Sequence, residues 1–189
     1  RAQLRAEVRR ILKELAITTI YVTHDQEEAL EIADRVAVMH DGVIEQIDTP
    51  RNLYQNPKRF VVADFLGVEN LFKIEPHDLI EEDEENKIYK FGKRKLRIPR
   101  HMIPKDPERV FYLGIRPEKI KIGAPPAPDI EKLTGVVSLK SFRGEQIRYV
   151  VETDLGALVV HVQSTSDQDY KIGEKVSLYF NLEDMLVLL

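Results

Sequence analysis

The run Ile20-Tyr21-Val22-Thr23-His24-Asp25-Gln26-Glu27-Glu28-Ala29 decides how the first third of this chain is read. With Thr18 and Thr19 it forms a β-branched and aromatic stretch, Thr18–Thr23. Its near-continuous apolar character predicts a strand buried on both faces, as in a parallel sheet. Asp25 then supplies a helix N-cap, and Glu28 stands at the reciprocal capping-box position. The acids suit the positive end of a helix. His24 therefore falls at the carboxyl end of a strand and just before a helix start. In open α/β sheets ligands bind at that edge. An imidazole there can give or accept a proton-linked hydrogen bond with a phosphate or a water. Taken alone, a histidine after a strand is more often structural. Glu27 and Glu28 are adjacent on a helix and do not converge, so they are not a catalytic carboxylate pair.

Working outward, Leu4, Val8, Ile11, Leu12 and Leu15 recur at helical spacing upstream. Downstream, Ala29, Leu30 and Ala33 give the next helix a small apolar face. Arg35–Met39 and Val43–Ile47 read as strands joined by a tight turn at Asp41-Gly42. Thr49-Pro50 reads as an N-cap followed by proline at the first helical position, and Asn56-Pro57 ends that short helix. Phe60, Val61, Ala63, Phe65 and Leu66 predict one more helix, stopped by Gly67. The chain opens on Arg1-Ala2-Gln3-Leu4-Arg5, already helical in pattern and without an initiator methionine, which predicts a fragment of a longer protein.

After Gly67 the period changes. Short alternating runs appear at Asn70–Glu75, Lys87–Phe91, Lys95–Ile98, Val110–Ile115, Gly135–Phe142, Ile147–Thr153, Ala157–Val162 and Lys175–Phe180. Many short strands at regular spacing predict a barrel or sandwich. Gly92 and Gly156 stand where hairpins should turn. The acidic run Glu81-Glu82-Asp83-Glu84-Glu85 reads as a solvated hairpin tip, and Ala124-Pro125-Pro126-Ala127-Pro128 as a stiff connector. The boundary predicts an α/β segment over residues 1–67 and an all-β domain over 68–189.

Composition narrows the function. Among 189 residues, 28 Lys and Arg against 32 Asp and Glu leave a net charge of -4, which argues against a nucleic-acid footprint. The chain has no cysteine, hence no disulfide, thiolate nucleophile or cysteine-based zinc site. No apolar stretch approaches the roughly 18–20 residues of a membrane-spanning helix.

Residues 18 to 67 resemble the last part of an ABC-transporter nucleotide-binding domain. Thr23-His24-Asp25 resembles the switch-histidine loop of that family. The resemblance continues in order through Gln26-Glu27-Glu28-Ala29, Ala33-Asp34-Arg35-Val36-Ala37-Val38-Met39, Gly42-Val43-Ile44-Glu45-Gln46, Thr49-Pro50, Phe60-Val61-Val62-Ala63 and Phe65-Leu66-Gly67. It implies that His24 contacts the γ-phosphate of ATP and the attacking water in the complete protein, with Asp25 a cap. The family's phosphate loop, Ser-Gly-Gly-Gln signature and magnesium-holding Asp-Glu strand end do not occur in this sequence. ATP and magnesium thus belong to the complete protein, no cofactor or metal is expected on this stretch alone, and the stretch should not hydrolyse ATP by itself.

Gly114-Ile115-Arg116-Pro117-Glu118-Lys119-Ile120, Gly135-Val136-Val137 and Gly173-Glu174-Lys175-Val176 resemble the transport-associated OB domain, over roughly residues 68 to 189. This implies an OB-like barrel that joins two ATPase subunits and carries regulatory contacts. Arg116 and Glu118 are read as a structural ion pair or backbone contact near a barrel corner. An OB barrel can bind oligonucleotides, but the matched charges and absence of Trp argue against nucleic acid here. Phe65–Phe72, Ser141-Phe142-Arg143-Gly144 and Leu182–Leu188 are closer to the polyamine-type importers than to the maltose type. The resemblance implies an ATPase homodimer docked on transmembrane permease subunits, served indirectly by a solute-binding protein. It also implies a place on the cytoplasmic face of the plasma membrane. The alternatives are a non-enzymatic regulatory or dimerisation module and a small-oxyanion sensor.

Overall fold

A computed structural model describes residues 2–104, 110–125, 131–165 and 168–189. The chain divides into two compact units. One is Arg1–Gly67, with which Leu188 groups; the other is Val68–Val187, with Leu189.

The first unit starts with helix α1 (Ala2–Leu15) and, after an extended stretch, helix α2 (Gln26–Ile32). Only part of the predicted amphipathic stripe of α1 is covered. Leu4, Ile11 and Leu15 are exposed, while Arg5, Val8, Arg9 and Leu12 are half-buried. Charged contacts hold the pair instead: Arg5 bridges to Glu27 and Glu31, and Lys13 to Asp34. Strands β1 (Val36–His40) and β2 (Val43–Asp48) form an antiparallel hairpin. Asp41 and Gly42 both take positive φ, 47° and 78°, as the turn requires. Thr49 caps helix α3 (Pro50–Gln55) by accepting from the Asn52 N–H, with Pro50 in the first turn. Helix α4 (Phe60–Phe65) ends before Gly67, whose φ of +77° supplies the left-handed stop. Val36, Val38, Leu53, Val62 and Leu66 form a small core here.

The predicted strand Thr18–Thr23 does not form. Residues 17–23 pair with no strand, and Ile20 and Val22 are 91% and 90% exposed. A strand needs a partner for its N–H and C=O groups, and none among the described residues lies beside this one. β-propensity fixes the extended backbone but not the burial.

The second unit is an OB-like, partly open barrel of antiparallel sheets. In chain order its strands are β3 (Asn70–Ile74), β4 (Leu79–Glu82), β5 (Asn86–Phe91), β6 (Arg94–Pro99), β7 (Phe111–Ile115) and β8 (Lys121–Ile122). They continue with β9 (Glu131–Phe142), β10 (Gln146–Thr153), β11 (Gly156–Gln163), β12 (Lys175–Phe180) and β13 (Leu186–Leu188). The largest sheet runs β11-β10-β9-β12-β8; the others run β13-β7-β3 and β4-β5-β6. Alternation selects the inner face: Ile147, Tyr149 and Val151 on β10, and Val176, Leu178 and Phe180 on β12. All three sheets feed one core, with edge-to-face rings at Phe72–Phe91 and Tyr89–Phe111.

Eight predicted strands are present with ends shifted by a few residues. Three others, β4, β8 and β13, are too short to carry a sequence pattern. The acidic run is a hairpin tip between β4 and β5, as expected. Most of the proline-rich connector falls on residues 126–130, outside those described.

Candidate functional site

Thr23, His24 and Asp25 lie between the extended stretch and α2. The Asp25 carboxylate accepts from the backbone N–H groups of Glu27 at 2.8 Å and Glu28 at 3.2 Å, so it is the N-cap. The expected capping box does not close. Its return position, the Asp25 N–H, donates instead to the Thr23 hydroxyl at 3.0 Å. That hydroxyl donates to Glu28 Oε2 at 2.7 Å. Tyr21 donates its phenol to the same oxygen at 3.0 Å, which raises its pKa above the usual phenol value. The residues before and after His24 are thus both tied to the first turn of α2, while the imidazole is exposed. Glu27 pairs with Arg5, and Glu28 receives the two hydroxyls.

The sequence has no glycine-rich phosphate loop. Among the described residues no cluster of three or more His, Asp or Glu side chains could hold a cation.

In the second unit Arg116 follows β7 and is 6% exposed. It opens a turn closed by the Lys119 N–H donating to the Arg116 carbonyl at 2.9 Å. The Pro117 carbonyl inside that turn accepts from the His161 N–H of β11 at 3.1 Å, and Glu118 is half-buried beside it. Backbone hydrogen bonds thus join this turn to β11.

The TOBE domain family matches residues 113–188. The chain is also 33% identical over 182 residues to PotA, the spermidine/putrescine import ATP-binding protein of Aliivibrio fischeri, covering 94% of this chain and 48% of that protein. Against GgtA, the osmoprotective compounds uptake ATP-binding protein of Synechocystis sp., it is 34% identical over 190 residues, covering 95% and 48%. The chain is related to the ATP-binding subunits of ABC importers and carries a TOBE domain. It spans about half the length of these relatives. A fainter structural likeness relates 64% of this chain to 95% of the molybdate-bound cytoplasmic protein ModG, at a TM-score of 0.47 and 14% identity. No helix among the described residues is long and apolar enough to cross a membrane.

Sequence spacing does not point to one polar cluster of the second unit. His161 Nε2 is buried and lacks a hydrogen-bond partner, with Glu69 Oε1 at 3.5 Å. Arg148 grips the other oxygen of Glu69 at 2.6 Å. Burial lowers the His161 pKa, against the pull of Glu69 and Glu118 and with the push of Arg143 and Arg148. His161 and Glu118 also line a cavity of about 400 Å³ with Gln146, Gln163 and Tyr179. The alternation of β11 does not mark His161 as special, because its partner Glu69 lies on a distant segment of the chain.

Proposed function

We propose that this chain is the part of an ABC-importer ATP-binding subunit that supplies the switch histidine, His24, and a regulatory and dimerisation barrel. Two tethered neighbours present an exposed imidazole before a capped helix. That placement carries the reading, in a chain related to importer subunits over most of its length. In this reading residues 1–67 are the closing portion of an α/β nucleotide-binding domain, and residues 68–189 are the transport-associated domain. His24 faces the γ-phosphate and the attacking water, where positioning and electrostatics do most of the work of phosphoryl transfer. Asp25 acts as the cap, while Arg116 and Glu118 hold the barrel corner. ATP and magnesium are bound by the complete subunit. The subunit pairs with a second copy and docks on transmembrane permease subunits at the cytoplasmic face of the membrane, with a solute-binding protein acting indirectly. Polyamines such as spermidine and putrescine are the favoured solutes, from the names of the relatives.

The test is His24→Ala in the complete subunit with its permease. ATP hydrolysis is expected to fall at least about tenfold, the scale of losing a group that orients a reactant, while ATP affinity stays within about twofold. Full turnover in that variant would remove His24 from the mechanism.

A further inference from the structure

The hydrogen bonds around His24 form a closed path. Glu28 takes the Thr23 hydroxyl, the Thr23 hydroxyl takes the Asp25 N–H, and Asp25 takes the Glu27 and Glu28 N–H groups. The path starts and ends on the first turn of α2 and encloses one residue whose own side chain is outside it, His24. A capping box would have joined Glu28 directly to the Asp25 N–H and left Thr23 unconstrained. Inserting the Thr23 hydroxyl pins the backbone on both sides of the imidazole. The Glu28 carboxylate accepts both Thr23 and Tyr21 on one oxygen, so it orders the last two hydroxyl-bearing residues before His24. Its charge strengthens both bonds over their neutral equivalents.

We propose that Glu28, acting through the Thr23 hydroxyl, is a positioning residue that fixes the direction in which His24 presents its imidazole. The proposal rests on the switch-histidine reading of His24. Neither residue touches substrate; each acts by narrowing the range of His24 backbone angles. Displacing a reacting or orienting group by about 1 Å costs up to roughly a hundredfold in rate. Loss of the relay should therefore lower kcat and leave nucleotide binding alone.

The experiment uses the complete subunit with its permease and compares His24→Ala, Thr23→Val, Thr23→Ser and Glu28→Ala. Thr23→Val keeps the shape and removes the relay hydroxyl; Thr23→Ser keeps the hydroxyl. The expected result is a fall in kcat of about tenfold or more in Thr23→Val and Glu28→Ala, with ATP Kd within about twofold, and most of the rate restored in Thr23→Ser. Amide exchange at Asp25 should quicken in Thr23→Val and not in Thr23→Ser. If Glu28→Ala fails to fold, the near-isosteric Thr23→Val decides. Turnover near wild type in Thr23→Val, with His24→Ala inactive, would overturn the positioning role and leave the His24 reading standing. Full turnover in His24→Ala would remove both.

Discussion

The side chain of Asn70 on β3 pairs with the backbone of Val159 on β11 as a neighbouring strand would. Its Nδ2 donates to the Val159 carbonyl at 2.9 Å and its Oδ1 accepts from the Val159 N–H at 2.7 Å. The same Nδ2 also donates to the Ile115 carbonyl at 3.1 Å. One buried carboxamide thus joins the edge of the large sheet to the β3–β7 pair.

Asn70→Ala should destabilise the protein by about 3 kcal/mol, since it leaves buried backbone groups without partners. Asn70→Asp should do at least as badly, because a carboxylate cannot donate to the two carbonyls. Urea unfolding with an unchanged m-value is the measurement. A loss below about 1 kcal/mol in Asn70→Ala would mean that water replaces the carboxamide.

Gly135 marks a close approach rather than a turn. Its φ is not left-handed. A Cβ there would stand 2.5 Å from the Glu152 carbonyl oxygen and 2.6 Å from Val151 Cγ1. Gly135→Ala must push β9 away from β10 and should cost about 1–3 kcal/mol, the range for overpacking. Gly144, at φ +79° with open space around it, is the contrast. Gly144→Asn should be nearly neutral, because asparagine tolerates the left-handed region. Thermal unfolding of the two variants tests the pair, and equal losses would refute the steric account.

The acidic tip between β4 and β5 has a pH signature. Asp83 accepts from the Asn86 and Glu85 N–H groups at 2.7 and 2.9 Å and from Arg97 at 2.6 Å. The Asn86 N–H does most to hold its pKa down, then Arg97, to about 2. A carboxyl depressed on folding stabilises above its unfolded pKa of about 3.9 and loses that contribution as pH falls toward 2. Arg97→Ala should raise the NMR-observed midpoint of Asp83 only part of the way to the ordinary value, because the backbone donors remain. An unchanged midpoint would mean that Arg97 contributes nothing.

The relation between sequence and structure follows how local each signal is. The Thr49 cap, the Asp41-Gly42 turn and the alternation of β10 and β12 depend on near neighbours or period, and were legible. Thr18–Thr23 reads as a buried strand because β-branching marks backbone preference, whereas burial depends on partners elsewhere. Spacing places Glu28 in a capping box, but the Thr23 hydroxyl takes the Asp25 N–H first. No pattern marks Asn70 or His161, and the family-like run that contains Gly135 does not tell of its close approach to β10, since each matters through a contact across strands. His24 stands out only because the fifty residues around it resemble a family in order.

Arg9 gives the same lesson in the first unit. It reads as one more charge on an amphipathic helix, yet its guanidinium closes the end of α2. Arg9 Nη1 donates to the carbonyls of Glu31, Ile32 and Ala33 at 3.0, 2.8 and 3.1 Å. These are among the C-terminal carbonyls that a helix leaves unpaired, and a cation there also meets the negative end of the helix dipole. Its ion pair with Asp34 at 3.4 Å is exposed and worth little. The carbonyl contacts therefore dominate, and Arg9→Ala should cost about 1–2 kcal/mol. Arg9→Lys keeps the charge but loses the planar fork, so it should recover only part of that. Raising the salt concentration should leave most of the difference in place, because hydrogen bonds to carbonyls are screened less than the Asp34 pair. Hydrogen exchange across α2, followed with unfolding free energies, separates the two contributions. If Arg9→Lys matches wild type at both salt levels, charge alone holds the helix end and the fork geometry is irrelevant.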